Sequence, residues 1–168
     1  MKTIAIISLI FIATLSSLAQ IDVQEQNRFS RINTIQLEFR EFGSAHFFLS
    51  YERFLFNSDF FKTSVQIGFA RNKFGDYMAI SAPFFINELL SFHAHHLEAG
   101  LGINHSFMDM EQDGEIIGWQ QIGELRLGYR YQKPDGRFQY KLNFSPYYLI
   151  DKKLIYQRGL AVTLGYAF

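Results

Sequence analysis

From Arg158 to Phe168 the chain reads RGLAVTLGYAF, and residue size alternates without a break. Leu160, Val162, Leu164, Tyr166 and Phe168 share one parity; Gly159, Ala161, Thr163, Gly165 and Ala167 share the other. Successive side chains of a β-strand point to opposite faces, so this strand has one bulky apolar face and one face of small groups. The same period recurs upstream. Ile35, Leu37 and Phe39 oppose Gln36, Glu38 and Arg40, and Phe61, Thr63, Val65, Ile67 and Phe69 oppose Lys62, Ser64, Gln66, Gly68 and Ala70. The pattern predicts strands over Asn33 to Arg40, Ala45 to Phe56, Phe60 to Ala70, Tyr77 to Asn87, His95 to Phe107, Trp119 to Gln132 and Arg137 to Ile150, with the C-terminal segment as the eighth. No helical period competes with them after residue 20.

The strand charges decide which face meets what. Glu38, Arg40, Glu52, Lys62, Glu98, Glu124, Arg126, Arg130 and Lys141 all lie on the small or polar parity, and Arg53, near a strand end, is the exception. An Arg or Lys on a lipid-facing wall costs about 2–4 kcal/mol at the bilayer midplane. A domain stable by about 5–15 kcal/mol cannot offset nine such placements. The pattern therefore predicts an all-β fold: an eight-stranded antiparallel up-and-down transmembrane β-barrel, apolar outside and charged inside. A soluble barrel binding an apolar ligand gives the same alternation with the faces exchanged. Three features favour the membrane form. The last strand ends without a tail. The polar face is rich in Gly, Ala and Ser, which suit a narrow lumen. Its four carboxylates nearly balance its five cations, as buried charges require. Eight strands leave an interior just wide enough for side chains, so the nine charges are expected to be a structural salt-bridge network rather than a conducting or catalytic set.

Residues 1 to 19, MKTIAIISLIFIATLSSLA, read as a signal peptide: Lys2, an apolar core from Ile4 to Leu15, then Ser17-Leu18-Ala19 before the expected cleavage. The barrel domain is then 20–168. Gln20 to Arg31 reads as a polar leader into the first strand. Gly43-Ser44, Asn57-Ser58-Asp59 and Lys133-Pro134-Asp135-Gly136 are turn signals. Arg71 to Asp76 and Glu88 to Ala94 read as connections. Met108 to Gly118 reads as the longest and most acidic loop, expected outside if both termini are periplasmic. Pro83 is a fault in strand four, because it removes a ladder donor where a closed barrel has no edge; a bulge or an early end to pairing is expected there.

Composition narrows the function. With a mean hydropathy of -0.02, a bundle of helical spans is excluded, since each needs roughly 20 apolar residues in a row. Formal charge is zero, 16 basic against 16 acidic residues, and no basic stripe points to nucleic acid. There is no Cys, hence no disulfide and no thiol nucleophile. His93, His95 and His96 cluster, but no carboxylate completes a metal site. His105 and Ser106 are adjacent, so on a strand they point apart and cannot act as base and nucleophile. No cofactor and no catalytic residue is expected. Trp119, Tyr129, Tyr131, Tyr147, Tyr148 and Tyr166 read as interfacial aromatics.

The final strand, with Leu164, Tyr166 and a terminal Phe168, resembles the closing strand of bacterial outer-membrane barrels, and its end resembles the signal read by the barrel-insertion machinery. Pro83, Asn87, Leu89 and Leu90 followed by HHLEAGLGIN (His95 to Asn104) resemble a segment of small outer-membrane β-barrel proteins of Bacteroidota. In general shape the chain resembles the eight-stranded OmpA/OmpX-type barrels. The resemblance implies a Gram-negative outer-membrane location, with membrane lipid and the insertion machinery as partners. It implies no reaction. The expectation is a monomeric barrel with a structural or surface-interaction role; the alternatives are an outer-membrane lipid-modifying hydrolase and a soluble periplasmic barrel.

Overall fold

The computed structural model describes residues 28–41, 45–74, 77–112, 115–149 and 159–168. The expected signal peptide, residues 20–27 of the expected leader and the Gly43-Ser44 turn lie outside them. Among the described residues there are nine strands: β1 (Asn33–Glu41), β2 (Ala45–Asn57), β3 (Phe61–Phe74), β4 (Tyr77–Phe92), β5 (His95–Gln112), β6 (Glu115–Gln132), β7 (Phe138–Phe144), β8 (Tyr147–Leu149) and β9 (Leu160–Ala167). Neighbours pair antiparallel from β1 through β7, β7 pairs with β9, and β9 returns to β1. β7 and β8 lie on β6 in one register, Leu127 opposite Phe144 and Ile122 opposite Leu149. They are two parts of one stave, parted at Ser145-Pro146 because proline has no N–H for the ladder. Among the described residues the ring closes with eight staves, each paired to a neighbour on both sides, which limits the hazard of unpaired strand backbone.

Where a bulge or an early end to pairing is expected at Pro83, pairing is interrupted on one side only. β4 continues through it to Phe92, and its ladder with β5 is unbroken, Pro83 opposite Asn104. On the β3 side pairing lapses beside Pro83 and resumes at Ala70 opposite Ser81 in the same register. The Pro83 ring points inward over Gly68, where an added Cβ would stand 3.0 Å from its Cγ. The bulge falls elsewhere, between Phe54 and Phe56 of β2. Leu55 is the extra residue, so Leu55 and Phe56 both face outward.

The strands are longer than their alternation suggested. β3 and β4 pair up to Phe74 opposite Tyr77, replacing most of the expected loop over Arg71 to Asp76. β4 runs to Phe92, so the connection expected over Glu88 to Ala94 is only a tight turn at His93-Ala94, with His93 at φ 59°. Within the acidic stretch, Met108–Gln112 and Glu115–Gly118 pair as a ribbon, Gln112 opposite Glu115, with a one-residue shift beyond Met108. That expected loop is corrected to a β-hairpin.

Burial is inverted relative to a water-soluble domain. The largest fully buried side chains include Arg40, Arg126, Arg130, Lys62 and Lys141, whereas Leu101 is 68% and Trp119 71% exposed. Along β9 the alternation is complete: Leu160, Val162, Leu164 and Tyr166 outside, Ala161, Thr163, Gly165 and Ala167 inside.

The segment before β1 closes the mouth nearest the chain's termini. Phe29 enters the lumen and packs with Phe54 and Leu89. Its ring lies 5.0 Å from that of Phe54 and 5.1 Å from that of His96. The backbone crosses the mouth as a strap. Phe29 N donates to Asn57 Oδ1 at 3.0 Å, and Asn57 Nδ2 donates to Phe29 O at 2.8 Å. On the other side Ser30 N donates to Pro134 O at 2.8 Å, and Arg31 Nη1 donates to Asp135 O. The described part of the expected polar leader, residues 28–31, thus forms with Ile32 a fitted plug leading into the first strand. Phe29→Ala is expected to lower stability by about 3 kcal/mol, the low end of Phe-to-Ala cavity costs, with β-barrel circular dichroism retained; urea unfolding in detergent micelles checks this.

Candidate functional site in the lumen

All nine sequence-predicted charges point into the lumen, and none is more than 5% exposed. Period-two alternation puts them there, because every strand turns its bulky apolar parity outward. The structure sorts eight of them into two layers.

One layer is a closed ring of alternating charge. Glu52 of β2 accepts from Arg130 Nη2 of β6 at 2.7 Å. Arg130 reaches Glu98 of β5 through Nε at 2.8 Å and Nη2 at 2.7 Å. Lys141 Nζ of β7 lies 3.4 Å from Glu98 and 3.3 Å from Glu52, completing the circuit. Glu52 also accepts from Ser64 Oγ at 2.5 Å and from Gln36 Nε2. The other layer is a chain. Glu124 of β6 accepts from Arg40 Nη1 of β1 at 2.6 Å, Arg40 Nε donates to Glu38, and Glu38 accepts from Arg126 Nη2 of β6 at 3.0 Å. Thr163 Oγ1 of β9 adds a bond to Glu38 at 3.3 Å, and Gln66 Oε1 of β3 accepts from Arg126 Nη1 at 2.8 Å.

Each layer is neutral, two carboxylates with two cations. A charge taken out of water is stabilised only by close opposite charge and hydrogen bonds, and both conditions hold here. Of the nine charges expected as one network, eight are thus grouped across the lumen rather than by neighbouring strands. Glu124 and Arg126 belong with β1, and Glu98, Arg130 and Lys141 belong with Glu52 of β2. Strand order around the ring explains why: β1 and β2 face β6 and β7 across the lumen, a proximity that sequence spacing does not carry.

Lys62 stands apart near the plugged mouth. Its Nζ donates to Ser91 Oγ and to Ser58 O, each at 2.9 Å, and lies 4.9 Å from the Phe29 ring. The remaining space is filled by inward phenyl rings under cations. Arg126 stacks on Phe85 at 4.0 Å, Arg40 on Phe48 at 4.4 Å, and Arg130 lies over Phe54 at 5.4 Å. These rings occupy the polar parity of their strands, so an apolar-face count overlooks them. Their one sequence signal is a doubled aromatic, Phe47-Phe48 and Phe84-Phe85.

The histidines stand on different surfaces. His96 is buried, with Nδ1 2.9 Å from Ser91 Oγ and Nε2 3.0 Å from Gln132 O. His95 is on the outer wall with Nδ1 2.5 Å from Tyr129 Oη, and His93 is in the turn. His105 faces outward while Ser106 faces inward, 3.0 Å from Ser81 Oγ. Ser50, Ser64, Ser81, Ser91 and Ser106 all point into the lumen. Leu164, Tyr166 and Phe168 line the outer side of the β1–β9 seam, where Phe168 N donates to Asn33 O at 2.9 Å.

This geometry defines an eight-stranded antiparallel barrel with an apolar wall and a filled, charge-compensated lumen. No protein-family model and no curated relative matches the sequence. Among solved structures, the fold is similar to the N-terminal β-barrel domain of OprF from Pseudomonas aeruginosa, at TM-score 0.66 and 14% identity, covering 86% of this chain and 100% of that one. It is also similar to the outer membrane protein Ail of Yersinia pestis in a phospholipid bilayer nanodisc, at TM-score 0.50 and 16% identity, covering 83% and 100%. A second structure of Ail, in complex with the heparin analogue sucrose octasulfate, matches at TM-score 0.50 and 13% identity, covering 82% and 97%. At these identities the likeness is one of fold, and the fold is that of outer-membrane barrels.

Glu52→Gln leaves Arg130 and Lys141 with Glu98 as their one carboxylate. It is expected to cost about 3–5 kcal/mol, as for breaking a buried pair. Adding Lys141→Met restores neutrality, so the double variant is expected to be more stable than Glu52→Gln alone. Urea unfolding followed by the single tryptophan, Trp119, checks both.

Proposed function

We propose that the protein is an integral outer-membrane β-barrel of a Gram-negative bacterium, with a structural or surface-interaction role and a lumen closed to flow. The observation that carries this is the inverted burial. The outer wall presents Leu37, Leu49, Ile67, Phe69, Leu97, Leu101 and Leu142, all half-exposed or more, while ionised groups fill the interior. Monomeric soluble proteins rarely expose a contiguous apolar patch beyond a few hundred Å². Here the apolar wall encircles the barrel, which suits hydrocarbon rather than water. The soluble-barrel alternative needs the two faces exchanged.

The two charge layers, the stacked phenyl rings and the Phe29 plug support a non-conducting lumen. The inward direction of the serines supports a non-hydrolytic wall, since a lipid-modifying hydrolase needs its nucleophile where lipid passes. The Leu164, Tyr166 and Phe168 edge supports recognition by the insertion machinery, and the closed ring, in which every stave has two paired neighbours, supports a monomer.

Outer-membrane fractionation, with faster migration of unboiled protein on gels, tests the reading; protein that stays soluble without detergent would sink it. Leu101→Arg on the wall is expected to destabilise the barrel by about 2–4 kcal/mol if Leu101 lies near mid-bilayer, read by unfolding in lipid vesicles. Phe168→Ala is expected to lower the amount reaching the outer membrane, measured by immunoblot, while leaving refolding in micelles intact.

A further inference from the structure

Among the described strand side chains, the outer wall carries only three formally charged groups, Arg53, Arg71 and Glu88. Arg71 lies toward the far mouth, its Nε 3.4 Å from Met78 Sδ. Arg53 and Glu88 lie toward the mouth near the termini, on β2 and β4, with β3 between them. Arg53 is opposite Val65, and Val65 is opposite Ile86. Glu88 is two residues further along β4, opposite Thr63. Two strand spacings across and two residues along give a Cα separation of about 12 Å. The staves tilt, and hydrogen-bonded rows descend from β4 through β3 to β2, so the shift along β4 compensates the slant and sets both residues at similar height.

The pair does not close on itself. Glu88 accepts from Thr63 Oγ1 at 2.9 and 3.1 Å, and Arg53 has no hydrogen-bond or ion-pair partner among the described residues. Two opposite charges therefore face outward a fixed distance apart. Toward the mouth lie Phe60, Phe61 and Phe92, the Phe60 ring centroid 4.9 Å from that of Phe61 and 5.7 Å from that of Phe92; aromatic girdles flank the apolar band of transmembrane barrels. Away from the mouth the wall above the pair is Tyr51, Ile67, Phe84 and Ile86. The charges thus stand at the level of lipid headgroups, where a lipid-facing charge is tolerated, with an apolar track for acyl chains directly above.

We propose that Arg53 and Glu88 form a binding site for the phosphoethanolamine headgroup of a membrane phospholipid. The guanidinium takes the phosphate, to which its planar donor fork is matched. The carboxylate takes the primary ammonium, held in place by Thr63. A choline headgroup offers Glu88 no N–H donor, and a glycerol headgroup offers it no cation, so the pair selects ethanolamine over both. The acyl chains running along Ile67 and Phe84 make the occupant a lipid rather than free phosphoethanolamine. This inference rests on the outer-membrane reading above.

The test is native mass spectrometry of the full barrel in micelles with equimolar phosphatidylethanolamine, phosphatidylcholine and phosphatidylglycerol. The unmutated protein is expected to retain phosphatidylethanolamine roughly tenfold over each of the others, the selectivity of one charge-assisted hydrogen bond. Glu88→Gln is expected to abolish the preference over phosphatidylcholine and raise phosphatidylglycerol retention. Arg53→Gln is expected to lower retention of all three lipids. Thr63→Val, which leaves both charges in place, is expected to weaken the preference without removing it. Both charged side chains lie outside the lumen network, and heat-shifted gel migration verifies folding of every variant. Equal retention of the three lipids by the unmutated barrel, or an unchanged preference in Glu88→Gln, overturns the proposal. Failure of the membrane reading shows itself differently, as protein soluble without detergent and with no heat-shifted band.

Discussion

The structure depends on mutual neutralisation of eight charges at the barrel axis. Hydrogen-bonded ladders join each stave to its neighbours, but nothing in a ladder spans the lumen. Glu38 of β1 to Arg126 of β6, and Glu52 of β2 to Arg130 of β6 and Lys141 of β7, are the cross-braces. They take the place that apolar packing holds in a soluble domain. Bringing an ionised side chain into a dry interior costs several kcal/mol after relaxation. Each charge is therefore tolerable only while its partners stay in place, which makes the lumen a set of mutually dependent positions. Hydroxyl and amide groups take up part of the remaining bonding capacity: Ser64 and Gln36 on Glu52, Thr163 on Glu38, Gln66 on Arg126.

That dependence explains what was legible in the sequence. Alternation reports the difference between the two faces of a strand, and here the faces differ as much as chemistry allows. Glu38, Lys62, Glu98 and Arg130 could be assigned inward from parity alone, and β9 could be read residue by residue. Which charges meet was not legible. Glu124 is two residues from Arg126, yet it pairs with Arg40, 84 positions upstream. The pairing follows from strand order and stagger around a closed ring, and a one-dimensional pattern holds neither. Glu88 was likewise hidden, because its strand was expected to end at Asn87.

The errors have the same origin. Met108 to Gly118 lacks alternation and so reads as loop, yet its backbone pairs to Gln112 opposite Glu115. Acidic and amide residues there break the apolar–polar period that a wall strand shows, while the ladder persists on either side of residues 113–114. Pro83 shows the converse. Its missing donor argued against an uninterrupted strand, but a central stave has two ladders, and β4 gives up bonding beside β3 while keeping β5 in register. Gly68 beneath the ring is what lets the proline point inward. The Phe29 plug left no periodic trace at all, because a single apolar residue in a polar leader acquires meaning only from the mouth it fills.

A lumen filled in this way, with both charge layers neutral, leaves little interior for function. With Arg40, Arg126 and Phe85 stacked in one layer and Glu52, Arg130, Glu98 and Lys141 closed in the other, a solute entering from the far mouth would have to break several charge-assisted bonds at once. Chemistry available to partners must then lie on the outer wall or at the mouths. On the wall, apolar side chains are interchangeable contacts for acyl chains, and only polar exceptions distinguish one lipid from another. Arg53 and Glu88 are such exceptions, and their opposite signs, equal height and intervening Thr63 give the wall a chemical identity that the barrel fold alone does not supply.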